Sequence, residues 1–152
     1  MRKLTALVLA IVLTLSLSVT VFAAEDRQTT ITTSIDPTYT VTIPANTNVK
    51  FNALSTSFGS VKLDTAQLDP GYAVQVSLNA SGTLKNKADA KKTIAYTIND
   101  ASGAFTVARY TVAGQETPLT IEITKAAWNA AFAGSYSDTV TFTVSYINTV
   151  TP

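Results

Sequence analysis

The side chains that could carry out chemistry exclude most kinds of catalytic site. The 152-residue chain has no histidine and no cysteine. It therefore cannot form a Ser-His-Asp or Cys-His nucleophilic site, and it lacks the commonest zinc ligands. A glycoside hydrolase needs two carboxylates facing one cleft, but the acidic residues are scattered, mostly in predicted turns such as Asp69, Asp100 and Asp138. We expect no enzymatic activity, no metal site and no cofactor.

Aromatic side chains suggest a second kind of chemistry, the stacking of sugar rings. Tyr96, Tyr110 and Trp128 are the candidates for such stacking. Each of them also lies at a position where a core residue is expected, because large aromatics are mostly buried. A secreted carbohydrate-binding module with a glycan as its partner is therefore the alternative interpretation of the function.

Basic side chains cluster in one short segment, residues 82–93, which contains Lys85, Lys87, Lys91 and Lys92. We interpret this segment as a solvated loop. Two of the 11 basic residues, Arg2 and Lys3, lie within residues 1–23. Residues 24–152 therefore have nine basic and ten acidic groups. A net charge of −1 gives no electrostatic surface for nucleic acid or an anionic membrane.

The first 23 residues have the pattern of an export signal. Arg2 and Lys3 precede an apolar stretch over residues 4–20, and Val21-Phe22-Ala23 fits a small-residue cleavage site. Cleavage there would leave 129 of the 152 residues, which suits a single domain over residues 24–152. The sequence predicts a secreted or cell-surface protein with no membrane insertion after cleavage.

The rest of the chain alternates apolar and polar residues with a period of two, which is typical of half-buried strands. The alternating runs cover residues 31–35, 39–43, 49–53, 61–63, 72–78, 94–98, 105–112, 119–123 and 140–146. One short helical turn is predicted near residues 125–133. This pattern predicts an all-β fold, an immunoglobulin-like antiparallel sandwich of about eight or nine strands.

A structural corner is predicted just before the last strand. A short helical turn, then Gly-x-Tyr and a long alternating strand are typical of the start of the penultimate strand in an immunoglobulin-like sandwich. We expect Tyr136 to bond back to upstream backbone and Gly134 to end the helical turn. Trp128 and Phe132 are expected to fill the end of the core, and Asp138 to stabilise the corner.

The last predicted strand has no successor in the sequence, so we expect an edge that another segment must cover. The predicted pairing edge combines Ile31, Thr33 and Ile35 with Val140, Phe142 and Val144 of the last strand. Pairing of the first run within its own chain is favoured, because two isoleucines make a weak anchor. Insertion into a neighbouring molecule is the alternative, and it would build a polymer.

Two motifs carry a resemblance to known families. "YTVTIPA" at residues 39–45 and "WNAAFAGSYSDTVTFTVSY" at residues 128–146 resemble the two ends of small secreted surface domains of bacteria. The second motif resembles the C-terminal strand of spore coat protein U and of chaperone–usher pilin-like domains, and also single-domain cell-surface proteins of Firmicutes. The resemblance implies an exported structural or adhesive subunit, pilin-like or coat-like, whose partners are copies of itself or other surface proteins.

Overall fold

The computed structural model describes residues 30–150. The predicted export signal, residues 1–23, lies outside the described residues. The chain divides into two units at residue 35, and the described part of the first, residues 30–34, contains no helix or strand. Within residues 30–150, no helix has both the length and the apolar character needed to cross a membrane.

Eleven strands and one short helix make up the described part of the second unit. The strands are β1 (Thr38–Thr42), β2 (Ser55–Gln67), β3 (Tyr72–Asn79), β4 (Thr83–Asn86), β5 (Thr93–Ala95), β6 (Thr97–Asp100), β7 (Gly103–Ala104), β8 (Val107–Tyr110), β9 (Glu116–Glu122), β10 (Tyr136–Ser137) and β11 (Thr141–Asn148). The helix, α1 (Lys125–Asn129), lies between β9 and β10.

All strand pairs are antiparallel, and they form three sheets. The strand orders are β1-β2-β9-β6-β7, β11-β3-β8 and β10-β4-β5. The apolar residues of the alternating strands point into one core, which is why the alternation forms a sandwich. The core cluster consists of Phe58, Val61, Leu63, Val74, Val76, Ile94, Tyr96, Ile98, Phe105, Tyr110, Leu119, Ile123 and Trp128. The predicted all-β sandwich is confirmed.

The number of strands differs from the predicted eight or nine, for physical reasons. The alternating run at residues 94–98 is divided between β5 and β6, which belong to different sheets. The Tyr96 N–H takes no part in the strand pairing of β5 or β6, and it donates a hydrogen bond to the Gly82 carbonyl at 2.9 Å. The lysine-rich segment 82–93 is not wholly a loop either, because β4 and the start of β5 lie within it. The short strands β7 and β10, of two residues each, also raise the number of strands above the predicted one.

Helix α1 begins with a side-chain cap and is shorter than the predicted 125–133. The Thr124 hydroxyl accepts a hydrogen bond from the Ala127 N–H at 3.1 Å, which satisfies a donor at the helix start. Trp128 is the buried residue of α1. The helix therefore serves mainly to place one indole ring against the end of the core.

Candidate functional site

Strand β11 has one paired edge and one edge that no described strand covers. It pairs with β3 along its whole length, and the register sets Val144 directly opposite Val76 on the same face of the sheet. Val76 is completely buried, whereas 39% of Val144 is exposed. The core face of the sandwich is therefore incompletely covered along the outer side of β11.

An opening lined by both apolar and polar residues lies at the start of β11. We call it the slot, a cavity of about 510 Å³ between the end of β1 and the start of β11. Its apolar lining includes Ile43, Phe58, Ile98, Ile121, Val140 and Phe142. The rings of Phe58 and Phe142 lie 6.1 Å apart within it, and 45% of Ile43 is exposed at its rim. Of the predicted edge residues, Val140 and Phe142 thus line the slot.

Stacked tyrosines connect β1 and β11 at the other end of these two strands. The Tyr39 ring stacks on the Tyr146 ring with 5.9 Å between centroids, and Tyr146 stacks on Tyr72 at 4.9 Å. The Tyr146 hydroxyl accepts from the Asp69 N–H at 2.7 Å and donates to the Asp69 carboxylate at 3.1 Å. Side chains therefore join the two strands here, whereas the slot leaves them apart at residues 43 and 140.

The predicted first run does not form a strand. Residues 30–37 contain no helix or strand, and Thr33 is exposed. Ile31 and Ile35 are 94% and 64% exposed. The predicted strand pairing of Ile31, Thr33 and Ile35 within one chain is therefore wrong, because the run has no partner strand among the described residues and its isoleucines stay largely exposed.

The four predicted corner residues, Trp128, Gly134, Tyr136 and Asp138, line a second cavity together. We call this cavity of about 800 Å³ the corner cleft. The Tyr136 hydroxyl donates to the Phe132 carbonyl at 2.9 Å and accepts from the Phe132 N–H at 3.1 Å. Trp128 is 9% exposed, and its Nε1–H donates to the Ala53 carbonyl at 2.9 Å.

Gly134 occupies a backbone conformation that side chains rarely adopt, with φ at 142°. A Cβ at this position would collide with the side-chain amide of Asn86. Asn86 is the buried polar residue of the core region, and its Oδ1 accepts from the Ala88 N–H at 2.8 Å. The close approach of the Gly134 backbone to this amide requires glycine.

Asp138 lies where the slot and the corner cleft meet, since it lines both cavities. Its Oδ2 accepts from the Tyr96 hydroxyl at 2.6 Å and from the Ser81 hydroxyl at 2.7 Å. Burial acts to raise the pKa of Asp138. Its hydrogen bonds with Tyr96, Ser81 and the Thr139 backbone act in the opposite direction, as does the charge of Lys85, and the pKa lies below its usual value. The carboxylate is therefore an ionised structural acceptor.

The three aromatics predicted as sugar platforms are core residues. Tyr96, Tyr110 and Trp128 are all buried, and their polar atoms have protein partners, including the Thr117 hydroxyl for Tyr110 at 2.7 Å. The alternative interpretation of these rings as sugar platforms therefore does not hold, since all three belong to the core cluster.

Two other aromatic rings are exposed at the corner cleft, Phe51 and Phe132. The prediction that Phe132 fills the end of the core is therefore wrong. The alternation at residues 49–53 predicted a strand with Phe51 on its inner face. The structure has a turn there instead. The polar neighbours Asn48, Lys50 and Asn52 are the one sequence signal for a loop at this position.

Within residues 30–150, no group of three or more His, Cys, Asp or Glu side chains could hold a metal ion. The chain was also compared with known proteins. No protein-family model matches it, and no curated protein matches it.

Proposed function

We propose that the protein is an exported structural or adhesive subunit of a bacterial surface, pilin-like or coat-like, and that it associates by accepting an extended segment into the slot beside β11. The observation that supports this most directly is the exposure of Val144, a core-facing residue opposite the fully buried Val76. An inward-facing apolar side chain that remains exposed indicates a surface completed by association.

Strand addition suits both features of the slot. An added strand would pair its backbone with the outer edge of β11, and alternate side chains would enter the slot against its apolar residues. The same contact would cover an edge that otherwise favours uncontrolled aggregation. The export signal predicted at residues 1–23 and the two motifs at 39–45 and 128–146 favour a bacterial surface as the place where this happens.

We infer that the inserted segment is the run at residues 31–35 of a second copy. Ile31 and Ile35 are exposed, and in a strand they would share one face with Thr33 between them. Burying each isoleucine in the slot would contribute about 1.5–3 kcal/mol. Two such anchors favour a reversible contact that becomes stable when many subunits are held close together at a surface.

Sedimentation velocity of the mature protein over a range of concentrations tests this function. We expect oligomers whose population and melting temperature rise with concentration. Val144→Lys and Ile31→Asp should each leave monomers. The control variants Thr143→Lys, on the opposite face of β11, and Thr32→Asp, on the opposite face of the inserted run, should still associate.

Two results would contradict the proposal. One is a protein that stays monomeric at all concentrations. The other is association that persists unchanged in both Val144→Lys and Ile31→Asp.

A further inference from the structure

The corner cleft presents two aromatic rings to solvent, although neither is needed to fill the core. Phe51 is 77% exposed and Phe132 is 58% exposed. Both line the same cavity of about 800 Å³, which is within the size range of small-molecule sites. Exposed aromatic rings that share one cleft indicate a ligand more strongly than scattered apolar residues do.

Specific contacts hold the Phe51 ring in place. The Ala53 N–H donates to the Lys50 carbonyl at 3.0 Å, which closes a tight turn with Phe51 and Asn52 at its centre. Asn52 has φ at 62°, a left-handed conformation that asparagine tolerates better than most residues. The Phe51 ring meets the Trp128 ring edge to face, with centroids 5.6 Å apart. The ring is therefore exposed and yet fixed.

Phe132 is held on the other side of the cleft in a comparable way. The Tyr136 hydroxyl bonds to both the N–H and the carbonyl of Phe132, which fixes the backbone from which the ring projects. The Lys92 ammonium lies 4.1 Å from the ring centroid, so a cation covers one face of the ring. Such preorganisation lowers the entropic cost of binding a ligand.

Small polar side chains accompany the two rings. Thr47, Asn48, Ser135 and Ser137 line the corner cleft and are exposed. Asp138 is the one charged side chain in the lining described. The cleft therefore offers aromatic faces together with hydroxyl, amide and carboxylate groups, and the Lys92 ammonium at the Phe132 ring is the cation beside its lining.

We propose that the corner cleft binds a neutral glycan, with pyranose rings lying against Phe51 and Phe132. A sugar has an apolar C–H face that packs on an aromatic ring, and its hydroxyls can pair with the polar lining. A wholly apolar ligand would leave those polar groups without partners, and an anionic ligand would face the Asp138 carboxylate. This site goes beyond the proposed strand addition and does not depend on the slot.

Titration calorimetry of the mature protein with five neutral oligosaccharides tests this site: cellohexaose, xylohexaose, mannohexaose, maltohexaose and chitohexaose. We expect at least one of them to bind. Phe51→Ala and Phe132→Ala should each weaken that binding by about tenfold, since each removes one stacking contact. Phe51→Tyr should retain affinity, because the ring remains. Val112→Ala, which truncates an exposed apolar residue outside the cleft lining, should bind like the parent.

A further variant, Ser135→Trp, should block the cleft without removing either ring. If no oligosaccharide binds at millimolar concentration, the proposal is overturned. It is equally overturned if the affinity is unchanged in Phe51→Ala, Phe132→Ala and Ser135→Trp. Melting temperatures close to that of the parent will show that the variants remain folded, as expected for exposed positions.

Discussion

The Tyr96 hydroxyl donates to the Asp138 carboxylate, with 2.6 Å between Oη and Oδ2 and 42 residues between the two in sequence. Tyr96 lies between β5 and β6, where the chain passes from one sheet to another. Asp138 lies just after β10, at the entry to β11. One charged hydrogen bond thus ties the sheet crossing to the strand that borders the slot.

Tyr96→Phe tests the energy of this contact. We expect the free energy of unfolding in urea to fall by about 2 kcal/mol, the usual contribution of a hydrogen bond to a charged acceptor. Tyr39→Phe is the matched control, because the Tyr39 hydroxyl makes no hydrogen bond within the described residues, and it should change stability by less than about 0.5 kcal/mol. Equal losses in the two variants would contradict the interpretation.

Asp138 should also make stability depend on acid pH. Since its pKa is lowered in the folded state, the unfolded chain binds more protons near the ordinary aspartate range. The stabilisation of the fold by the ionised Asp138 carboxylate is therefore complete above the pKa of the unfolded state, about 3.9. It is lost as the pH falls through the lower pKa of the folded state. Asp138→Asn should flatten the slope of unfolding free energy against pH below about pH 4.

That slope should not vanish completely in Asp138→Asn. The pKa of Asp64 is lowered, chiefly by its hydrogen bond with Thr42, and that of Asp100, chiefly by its bond with Ser102. An acid slope identical in parent and Asp138→Asn, measured by urea unfolding at each pH, would show that the Asp138 carboxyl titrates normally.

Gly134→Ala should be unusually destabilising. Gly103 has a similar backbone angle, φ at 132°, but nothing lies within 4 Å of the position of an added Cβ. Gly103→Ala should therefore cost only the conformational penalty, about 1 kcal/mol. Gly134→Ala should cost about 1–3 kcal/mol more, because the methyl group meets Asn86. Equal urea midpoints for the two variants would rule out the steric explanation.

The Trp128 ring should contribute more to stability than any other side chain at the corner. Trp128→Ala should lower the free energy of unfolding by about 3–5 kcal/mol, because it removes a large buried ring and leaves a cavity. Asn129→Ala, at an exposed position of the same helix, is the control and should lie within about 0.5 kcal/mol of the parent. A small loss in Trp128→Ala would mean that the cleft collapses around the vacancy.

The regions predicted correctly from sequence are those where a long alternation agrees with burial. Strand β3 carries four apolar positions in alternation and β11 carries three, and this period of two determines which side chains share a face of the sheet. The pattern fails at residues 94–98, where the alternation continues although the backbone changes sheets at Tyr96. A change of hydrogen-bond partner does not alter the side-chain period, so composition gives no sign of it.

The candidate site was only partly predictable for a similar reason. The corner around Tyr136 has a local signature, because glycine, tyrosine and the following strand are adjacent in sequence. The exposed rings of the corner cleft have only the polar neighbours of Phe51 as a local signal. Phe51 fits a strand pattern with Val49 and Ala53, and a turn at Asn52 turns it outward. Which apolar residues remain exposed depends on contacts between distant segments, here with Trp128.

The position of Trp128 gives the molecule a built-in optical reporter. It is the one tryptophan of the chain, and it lines the corner cleft. The stacked rings of Tyr39, Tyr72 and Tyr146 lie outside that lining, on strands β1, β3 and β11. Excitation of tryptophan alone therefore follows events at the cleft, while the near-ultraviolet dichroism of coupled tyrosines follows β11. Ligand capture and subunit association can then be recorded separately on the unlabelled protein.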